Sequence, residues 1–278
     1  MAKKHDIIWY DKLDSTNDEA KRRISDIDNL SVLSAMEQTA GRGQRGNKWS
    51  SCCGENLLFS IVLKFSDDSK GGLPRMVAEK QAAISELAAV ALIRFLSRHG
   101  IKVEIKWPND IYAEEKKICG VLIENSLRGK WLSHSIVGIG LNINQRNFDV
   151  NLPNPSSMAL LSGPGKTYDI KECLEEFISI FTELLPGISS DEGRKCIRQD
   201  YLKHLWRKDK AAQYIDYTSL PSGHLEGPSN IKTDMSHDSG RKFTGTIRDI
   251  SQSGNILIED HENREIREFG FKEIGYIL

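Results

Sequence analysis

Residues 41–51 read GRGQRGNKWSS, and Gly41, Gly43 and Gly46 satisfy G-x-G-x-x-G. In a dinucleotide-binding fold this turn joins a strand to a helix whose N-terminal amides hold a pyrophosphate. The strand is present: SVLSAME (31–37) is an apolar run of strand length leading straight into the loop. The helix is not. Gly46 is followed by NKWSSCCGEN, with Asn47, two serines and Gly54 where an apolar helical face would begin. Arg42 and Arg45 stand among the glycines. Glycines let backbone N–H groups approach an anion, and arginine adds charge-assisted bonds. The stretch reads as an anion-holding loop able to fold over a ligand, with a plain exposed turn as the alternative.

Around this loop the chain mixes helical and strand patterns. DSTNDEAKRRI (14–24) opens a helix, with Thr16 placed to cap it and Glu19 placed to reach back as a capping box. NLLFSIVLKF (56–65) is apolar almost throughout and predicts a strand covered on both faces. In MVAEKQAAISELAAVALIRFLSRHG (76–100), Ile84, Leu87, Ala88, Ala91, Leu92 and Phe95 recur at helical spacing, and Gly100 stands where a helix ends. KVEIKWPNDIY (102–112) is a strand stopped by Pro108 and then resumed. KKICGVLIEN (116–125) and LSHSIVGIGLNIN (132–144) are further strands. DIKECLEEFISIFTELL (169–185) and DEGRKCIRQDYLKHLW (191–206) predict two more helices. Beyond Trp206, LPSGHLEGPSN is rich in turn formers, and KFTGTIRDIS, GNILIED and REIREFGF read as short strands. Residues 1–206 are expected to form one domain and 207–278 a small β module.

Composition removes some classes of function. The 38 Lys and Arg against 39 Asp and Glu leave a net charge of −1, which argues against a surface built throughout for nucleic acid. MAKKHDIIWYDKLDSTNDEA lacks the apolar core of a signal peptide, and no apolar run reaches membrane-spanning length. A cytoplasmic protein without a membrane partner is expected. Cys52, Cys53, Cys119, Cys173 and Cys196 are odd in number and lack metal-ligand spacing, which fits reduced thiols.

A second constellation begins at KWPND (106–110) and continues to Lys117. A kinked hairpin displays Asn109 and Asp110 and brings Lys117 back towards Lys106. Two lysines beside an Asn–Asp pair suit a nucleoside triphosphate with its Mg²⁺; a charged turn is the alternative. In VGIGLNIN, Gly138 and Gly140 allow close approach to a strand and Asn142 offers donors and an acceptor to an adenine edge. Taken alone, this is a core strand with a buried asparagine.

In this order STN, QTAGRGQRGNKW, KWPND, KKICGVLIE and VGIGLNIN closely resemble the motifs of the biotin protein ligase family, densely over residues 7–160 and more loosely beyond. The resemblance implies an α+β fold like that of class II aminoacyl-tRNA synthetases. It has a mixed β-sheet backed by helices, an active site on the sheet face beneath the glycine loop, and a small C-terminal SH3-like β-barrel. The implied reaction joins biotin to ATP as biotinyl-5′-AMP, then passes biotin to a lysine on the biotin carboxyl carrier domain of a biotin-dependent carboxylase.

The resemblance also implies residue roles. Ser15, Thr16, Asn17 and Gln38 match contacts to the biotin head group, whose ureido ring needs both donors and acceptors. Arg42, Gly43 and Gln44 belong to the loop over biotin. Lys117 matches the lysine that touches biotin carboxylate and α-phosphate, and with Arg42 and Asp110 it is expected to carry catalysis. Gly41, Arg45, Gly46, Trp49, Lys106, Asn109 and Asn142 fall on the nucleotide side, Asn142 at adenine. Asn109 and Asp110 fall near Mg²⁺ and the incoming amine. Homodimers are common among such relatives.

Two departures carry expectations of their own. Gln44 stands where many relatives have a second arginine, which predicts weaker retention of the adenylate. The first motif begins at Asp14, which leaves no room for a winged DNA-binding domain before it, so no DNA partner is expected. A lipoate or octanoate ligase or transferase, and a non-catalytic biotin sensor, are the rival readings.

Overall fold

The structure, a computed structural model, describes residues 6–66, 71–218 and 240–277. The turn-rich stretch LPSGHLEGPSN (220–230) lies outside the described residues. The chain divides into two compact units, Met1–Tyr201 and Leu202–Leu278.

The larger unit is built on one mixed sheet. Its strands are β1 (Ile7–Leu13), β2 (Val32–Gln38), β3 (Asn56–Lys64), β4 (Glu104–Lys106), β5 (Asp110–Ala113), β6 (Lys116–Arg128) and β7 (Trp131–Asn142). They lie in the order β1-β2-β3-β7-β6-β5-β4. β1 and β2 run parallel, joined across α1 (Thr16–Arg22), and the remaining pairs are antiparallel. The other helices are α2 (Ala82–Arg98), α3 (Met158–Leu161), α4 (Ile170–Leu184) and α5 (Asp191–Lys203).

β3 shows why its sequence is mostly apolar: every residue from Asn56 to Leu63 is buried. On one face Phe59 meets Phe177 of α4 at 5.3 Å between ring centroids, and Phe177 meets Phe95 of α2 at 6.1 Å. On the other, Val62 packs with Leu33, Ile136, Ile27 and Ala20 of α1. Ser60 shares that second face, where its hydroxyl meets Thr16 of α1, and the site described below is built there. The six residues predicted for the buried face of α2 are all fully buried. Each large one contributes roughly 1.5–3 kcal/mol by leaving water. Gly100 closes the helix at φ +74°, a left-handed position that lets the Ile101 N–H reach the Leu96 carbonyl at 3.0 Å.

Three expectations need correction. Residues 76–81 precede the α-helix rather than begin it, because Val77 pairs with Trp131 and the Ala78 N–H donates to the Lys130 carbonyl. The capping box on α1 does not form. Thr16 lies in the first turn, its N–H donates to Gln38 Oε1 at 2.7 Å, and Glu19 accepts from Arg22 and Tyr10 instead. The C-terminal unit holds β8 (Ala211–Asp216), β9 (Arg241–Ile250), β10 (Ile256–Asp260), β11 (Ile266–Phe269) and β12 (Ile274–Tyr276). They form an antiparallel sheet in the order β11-β10-β9-β8-β12. Among the described residues β11 and β12 are its two edges, so the expected barrel is not closed. Tyr214, Phe243 and Phe269 form its core, and buried Asp216 and Asp260 pair with Arg267 and Arg241. No helix among the described residues is long and apolar enough to cross a membrane.

Candidate active site

The floor of the site is made by missing side chains. Gly120 of β6 lies directly opposite Gly140 of β7, and Leu122 opposite Gly138. Strand alternation puts these positions on one face together with Ser60 of β3 and Asp110 of β5. A Cβ on Gly140 would stand 2.5 Å from Cε2 of Trp49, and one on Gly120 3.0 Å from Cζ3 of the same ring. A Cβ on Gly138 would stand 2.2 Å from Oδ1 of Asn17. The three glycines therefore clear the space that the Trp49 indole and the Asn17 amide occupy.

Trp49 arrives on the glycine loop, which is a short hairpin. The Gly43 N–H donates to the Asn47 carbonyl at 2.7 Å and the Trp49 N–H to the Gly41 carbonyl at 2.9 Å. A 3₁₀ turn over Gln44–Gly46 makes the bend, with Gly46 at φ +84°. Gly41 is obligatory for close approach, since a Cβ there would stand 2.5 Å from the Trp49 carbonyl oxygen. The side chain of Arg45 lies outside what is described. Trp49 Nε1 is buried without a hydrogen-bond partner among the described residues.

Lys117 reaches the floor through a bulge. On a regular strand residues 117 and 120 would point to opposite faces. Here Tyr112 of β5 pairs with Lys117 while Ile111 pairs with Cys119, so Ile118 is an extra residue and the alternation resets. Lys117 Nζ stands 2.7 Å from Asp110 Oδ1 and 5.6 Å from the centre of the Trp49 ring. The Lys117 backbone is held at both ends by the segment after β7, donating to the Asn154 carbonyl and accepting from the Ser156 N–H.

The β4–β5 hairpin presents Lys106 and Asp110 as a directly paired couple. Lys106 Nζ donates to Tyr112 Oη at 3.0 Å. Burial, and then the nearby Asp110 charge, pushes that phenol up to about 12. Asn109 is a tether: its Nδ2 donates to the Val121 carbonyl at 2.8 Å, fastening the hairpin to β6. Asn142 Nδ2 donates to the Ser156 carbonyl at 2.9 Å, while its buried Oδ1 has no partner among the described residues.

The opposite end of the floor is a polar pocket at the start of α1. Ser15, Thr16 and Asn17 are all buried. Gln38 Oε1 accepts from the Thr16 N–H, and Thr16 Oγ1 lies 3.2 Å from it. Asn17 Nδ2 donates to Glu124 Oε2 at 2.8 Å and to the Leu122 carbonyl at 3.3 Å. Ser60, which belongs to none of the sequence motifs, stands at the centre: its hydroxyl lies 2.8 Å from Thr16 Oγ1 and 2.6 Å from Asn17 Oδ1. A signal for it exists in the sequence, as the lone hydroxyl within an otherwise apolar buried strand.

Glu124 and Asp18 are likewise site residues that the motifs do not single out. Arg42 Nη2 donates to Asp18 Oδ1 at 2.6 Å and to Glu124 Oε2 at 3.1 Å, and Lys21 Nζ lies 2.7 Å from Glu124. Burial pushes the Glu124 carboxyl up, but the bonds from Lys21 and Asn17 and the Arg42 charge outweigh it and hold the group below its ordinary value. Beside Ser15, the Asp14 carboxylate is held down to about 2, first by Arg22 and then by the Ser15 N–H. Among the described residues no group of three or more His, Cys, Asp or Glu could hold a metal ion.

The structure thus brings together Thr16, Asn17, Gln38 and Arg42 at one end, and Trp49, Asp110 and Lys117 at the other. Gly138 and Gly140 lie between them. A sheet face with donors and acceptors at one end, glycines in the middle, and a lysine–carboxylate pair at the other suits a ligand with a polar head, an aliphatic middle and a reactive acid.

The model of the Biotin/lipoate A/B protein ligase family matches residues 9–142, a range that includes Asn17, Arg42, Trp49, Asp110 and Lys117. The chain is 28% identical over 149 residues to the bifunctional ligase/repressor BirA of Escherichia coli, a match covering 53% of this chain and 44% of that protein. It therefore spans less than half the length of that relative. A biotin protein ligase from Aquifex aeolicus, solved in complex with biotin and ATP, superposes with a TM-score of 0.71 at 25% identity over 97% of both chains. Biotin–protein ligase 2 of Arabidopsis thaliana is 33% identical over 263 residues, covering 92% of this chain and 70% of that protein. On that extent of likeness the chain belongs to the biotin protein ligase family.

Proposed function

We propose that the protein is an ATP-dependent biotin protein ligase. The observation that carries this reading is the position of Lys117: its ammonium stands beside Asp110 and over the Gly120–Gly140 floor, at the far end of the cleft from the polar pocket. In the first step an oxygen of the biotin carboxylate attacks the α-phosphorus of ATP. The bond to the β-phosphate oxygen breaks, leaving biotinyl-5′-AMP and pyrophosphate. In the second the ε-amine of a lysine on the acceptor attacks the acyl carbon. The bond to the phosphate oxygen breaks, AMP leaves, and the amine gives up a proton.

Thr16, Asn17, Gln38 and Ser15 read the ureido ring, because a buried ring with two donors and a carbonyl needs complementary partners. Lys117 carries charge where it develops in both steps, worth several kcal/mol in a water-poor site. Asp110 pairs with the Lys117 ammonium at 2.7 Å and is the carboxylate beside it that could take the proton of the incoming amine. Gly41, Arg42, Gly43, Gln44, Arg45 and Gly46 form the loop over the acyl phosphate, with Trp49 covering the floor against water. Lys106 and Asn142 fall to the nucleotide.

Mg²⁺ fits this site as an ion carried by the triphosphate, because Mg²⁺ keeps waters and takes one or two protein carboxylates. Asp110 and the Asn109 amide oxygen are the groups that would hold it, and it would supply charge neutralisation at the phosphates. A biotin carboxyl carrier domain is the proposed acceptor and the cytoplasm the proposed site of action.

The test is to incubate the protein with biotin, ATP and Mg²⁺, denature it, and identify the released adenylate by mass spectrometry, with lipoate and octanoate in parallel. A carrier domain is then added to the loaded protein. Biotinyl-5′-AMP that disappears as the carrier lysine becomes modified is the expected result. Lipoyl- or octanoyl-adenylate would move the reading to the sister activity, and bound biotin with no adenylate would leave a sensor.

A further inference from the structure

Arg42 is a cation of the glycine loop, and its guanidinium is turned to protein carboxylates. Nη2 donates to Asp18 Oδ1 at 2.6 Å and to Glu124 Oε2 at 3.1 Å. The two acids come from different elements: Asp18 from the first turn of α1, one residue after Asn17, and Glu124 from β6. The same Glu124 Oε2 accepts from Asn17 Nδ2 at 2.8 Å. Lys21 touches both acids, at 2.7 Å from Glu124 and 3.7 Å from Asp18. Two carboxylates therefore face two cations, and Glu124 joins the head-group pocket to the loop. Separately from this cluster, α1 packs on the core through Ala20 and β6 is held by its ladder with β7.

We propose that Asp18 and Glu124 are positioning residues that clasp the glycine loop, through Arg42, to the wall of the head-group pocket. The inference rests on the biotin reading above and adds to it how the lid is held. Glu124 orients Asn17 towards the ureido ring and secures Arg42 with the same carboxylate, so reading of the head group and closure of the loop are one event. Lys21 keeps Glu124 neutralised when the loop opens and Arg42 withdraws, which keeps opening accessible. Arg42 acts on the ligand by fixing the loop, with its backbone and that of Gly43 over biotin.

Asp18→Asn removes one arm of the clasp and leaves the bonds of Asn17 in place. Release of labelled biotin into an unlabelled chase should quicken about three- to tenfold, the range of a partly exposed ion-pair network. The unmodified protein should release biotin faster as NaCl is raised, and that salt dependence should flatten in the variant. The KM for ATP should not move. A second readout needs no ligand: hydrogen exchange at the Gly43 and Trp49 amides, bonded across a hairpin too short to persist alone, should also quicken. Glu124→Gln should do both and weaken biotin binding further, because Asn17 loses its charged acceptor.

An unchanged release rate with unchanged exchange would overturn the clasp. So would a raised KM for ATP with biotin release unaltered, since Arg42 would then serve the phosphates directly. If the unmodified protein fails to bind biotin, the biotin reading falls, and the exchange experiment alone decides whether Asp18 and Glu124 hold the loop.

Discussion

Lys117 and Gly120 are three residues apart on β6 and still share one face of the sheet, because Ile118 is inserted as a bulge between them. The bulge sets the lysine over the paired glycines, where Trp49 completes a small apolar box. The box is tight. Gly140→Ala would place a methyl group 2.5 Å from the indole, and Trp49 has to move. Overpacking of this kind costs about 1–3 kcal/mol. Calorimetry should show biotin binding weakened about tenfold or more, with far-UV circular dichroism unchanged. Wild-type affinity in the variant would mean that Trp49 does not wall the site.

Ser60 is the hub of the head-group pocket. Its hydroxyl stands between Thr16 Oγ1 and Asn17 Oδ1, both deep in the protein. Ser60→Ala removes the single hydroxyl proton at this point and leaves Asn17 Oδ1 without its donor, which costs about 1–3 kcal/mol. Urea unfolding should show that loss, and the KM for biotin should rise while the KM for ATP stays put. Equal effects on both substrates would reduce Ser60 to a structural role.

Stability should fall on acidification in two stages. His134 lies below its ordinary value of 6.5 through burial and then the Lys64 charge, so the unfolded chain takes up its proton first. That contribution is whole above pH 6.5 and declines as the pH falls below it. Glu124 lies below its ordinary 4.5, with the bonds from Lys21 and Asn17 prevailing over burial. Its contribution is whole above pH 4.5 and is lost as the pH falls through the lowered value. Urea midpoints measured from about pH 7.5 to about pH 3 should trace this decline. His134→Gln should flatten the upper stage, and Glu124→Gln should lessen the lower one, to which the lowered Asp14 and Asp216 also contribute. A profile indifferent to both substitutions would show that neither shift operates.

Gln44 opens the 3₁₀ turn of the loop. Gln44→Arg adds a cation where the acyl phosphate is proposed to lie, and hydrogen bonds to charged groups are worth about 1.5–3 kcal/mol. The adenylate should be released about tenfold more slowly, timed by gel filtration and mass spectrometry. Unchanged or faster release would count against a phosphate contact at this position.

Local pattern made much of this molecule legible. The helical spacing from Ile84 to Phe95, the largely apolar run of β3, and the Pro108 kink between β4 and β5 all report on neighbours close in sequence. The glycine loop was readable through the polar residues after Gly46, and the order of the motifs carried the rest. The features that escaped depend on partners far along the chain. Thr16 and Glu19 have capping-box spacing, but Gln38 from β2 supplies the acceptor instead. Residues 76–81 have helical composition, but Val77 finds Trp131 and extends. No local feature tells that Ile118 is a bulge, or that Glu124 reaches both Asn17 and Arg42. β1, β8 and β12 were missed as strands because their residues are mixed in polarity and short runs leave little period to read.

The central claim is that Lys117, set by the bulge over the glycine floor, activates the carboxylate of biotin against ATP. Biotin-dependent exchange of labelled pyrophosphate into ATP, with Mg²⁺ present, measures that step directly. The unmodified protein should exchange with biotin and not with lipoate or octanoate, and Lys117→Ala should lose the exchange by roughly 10²–10³-fold while still binding biotin. Exchange that persists in Lys117→Ala, or none in the unmodified protein with biotin bound, would contradict the account.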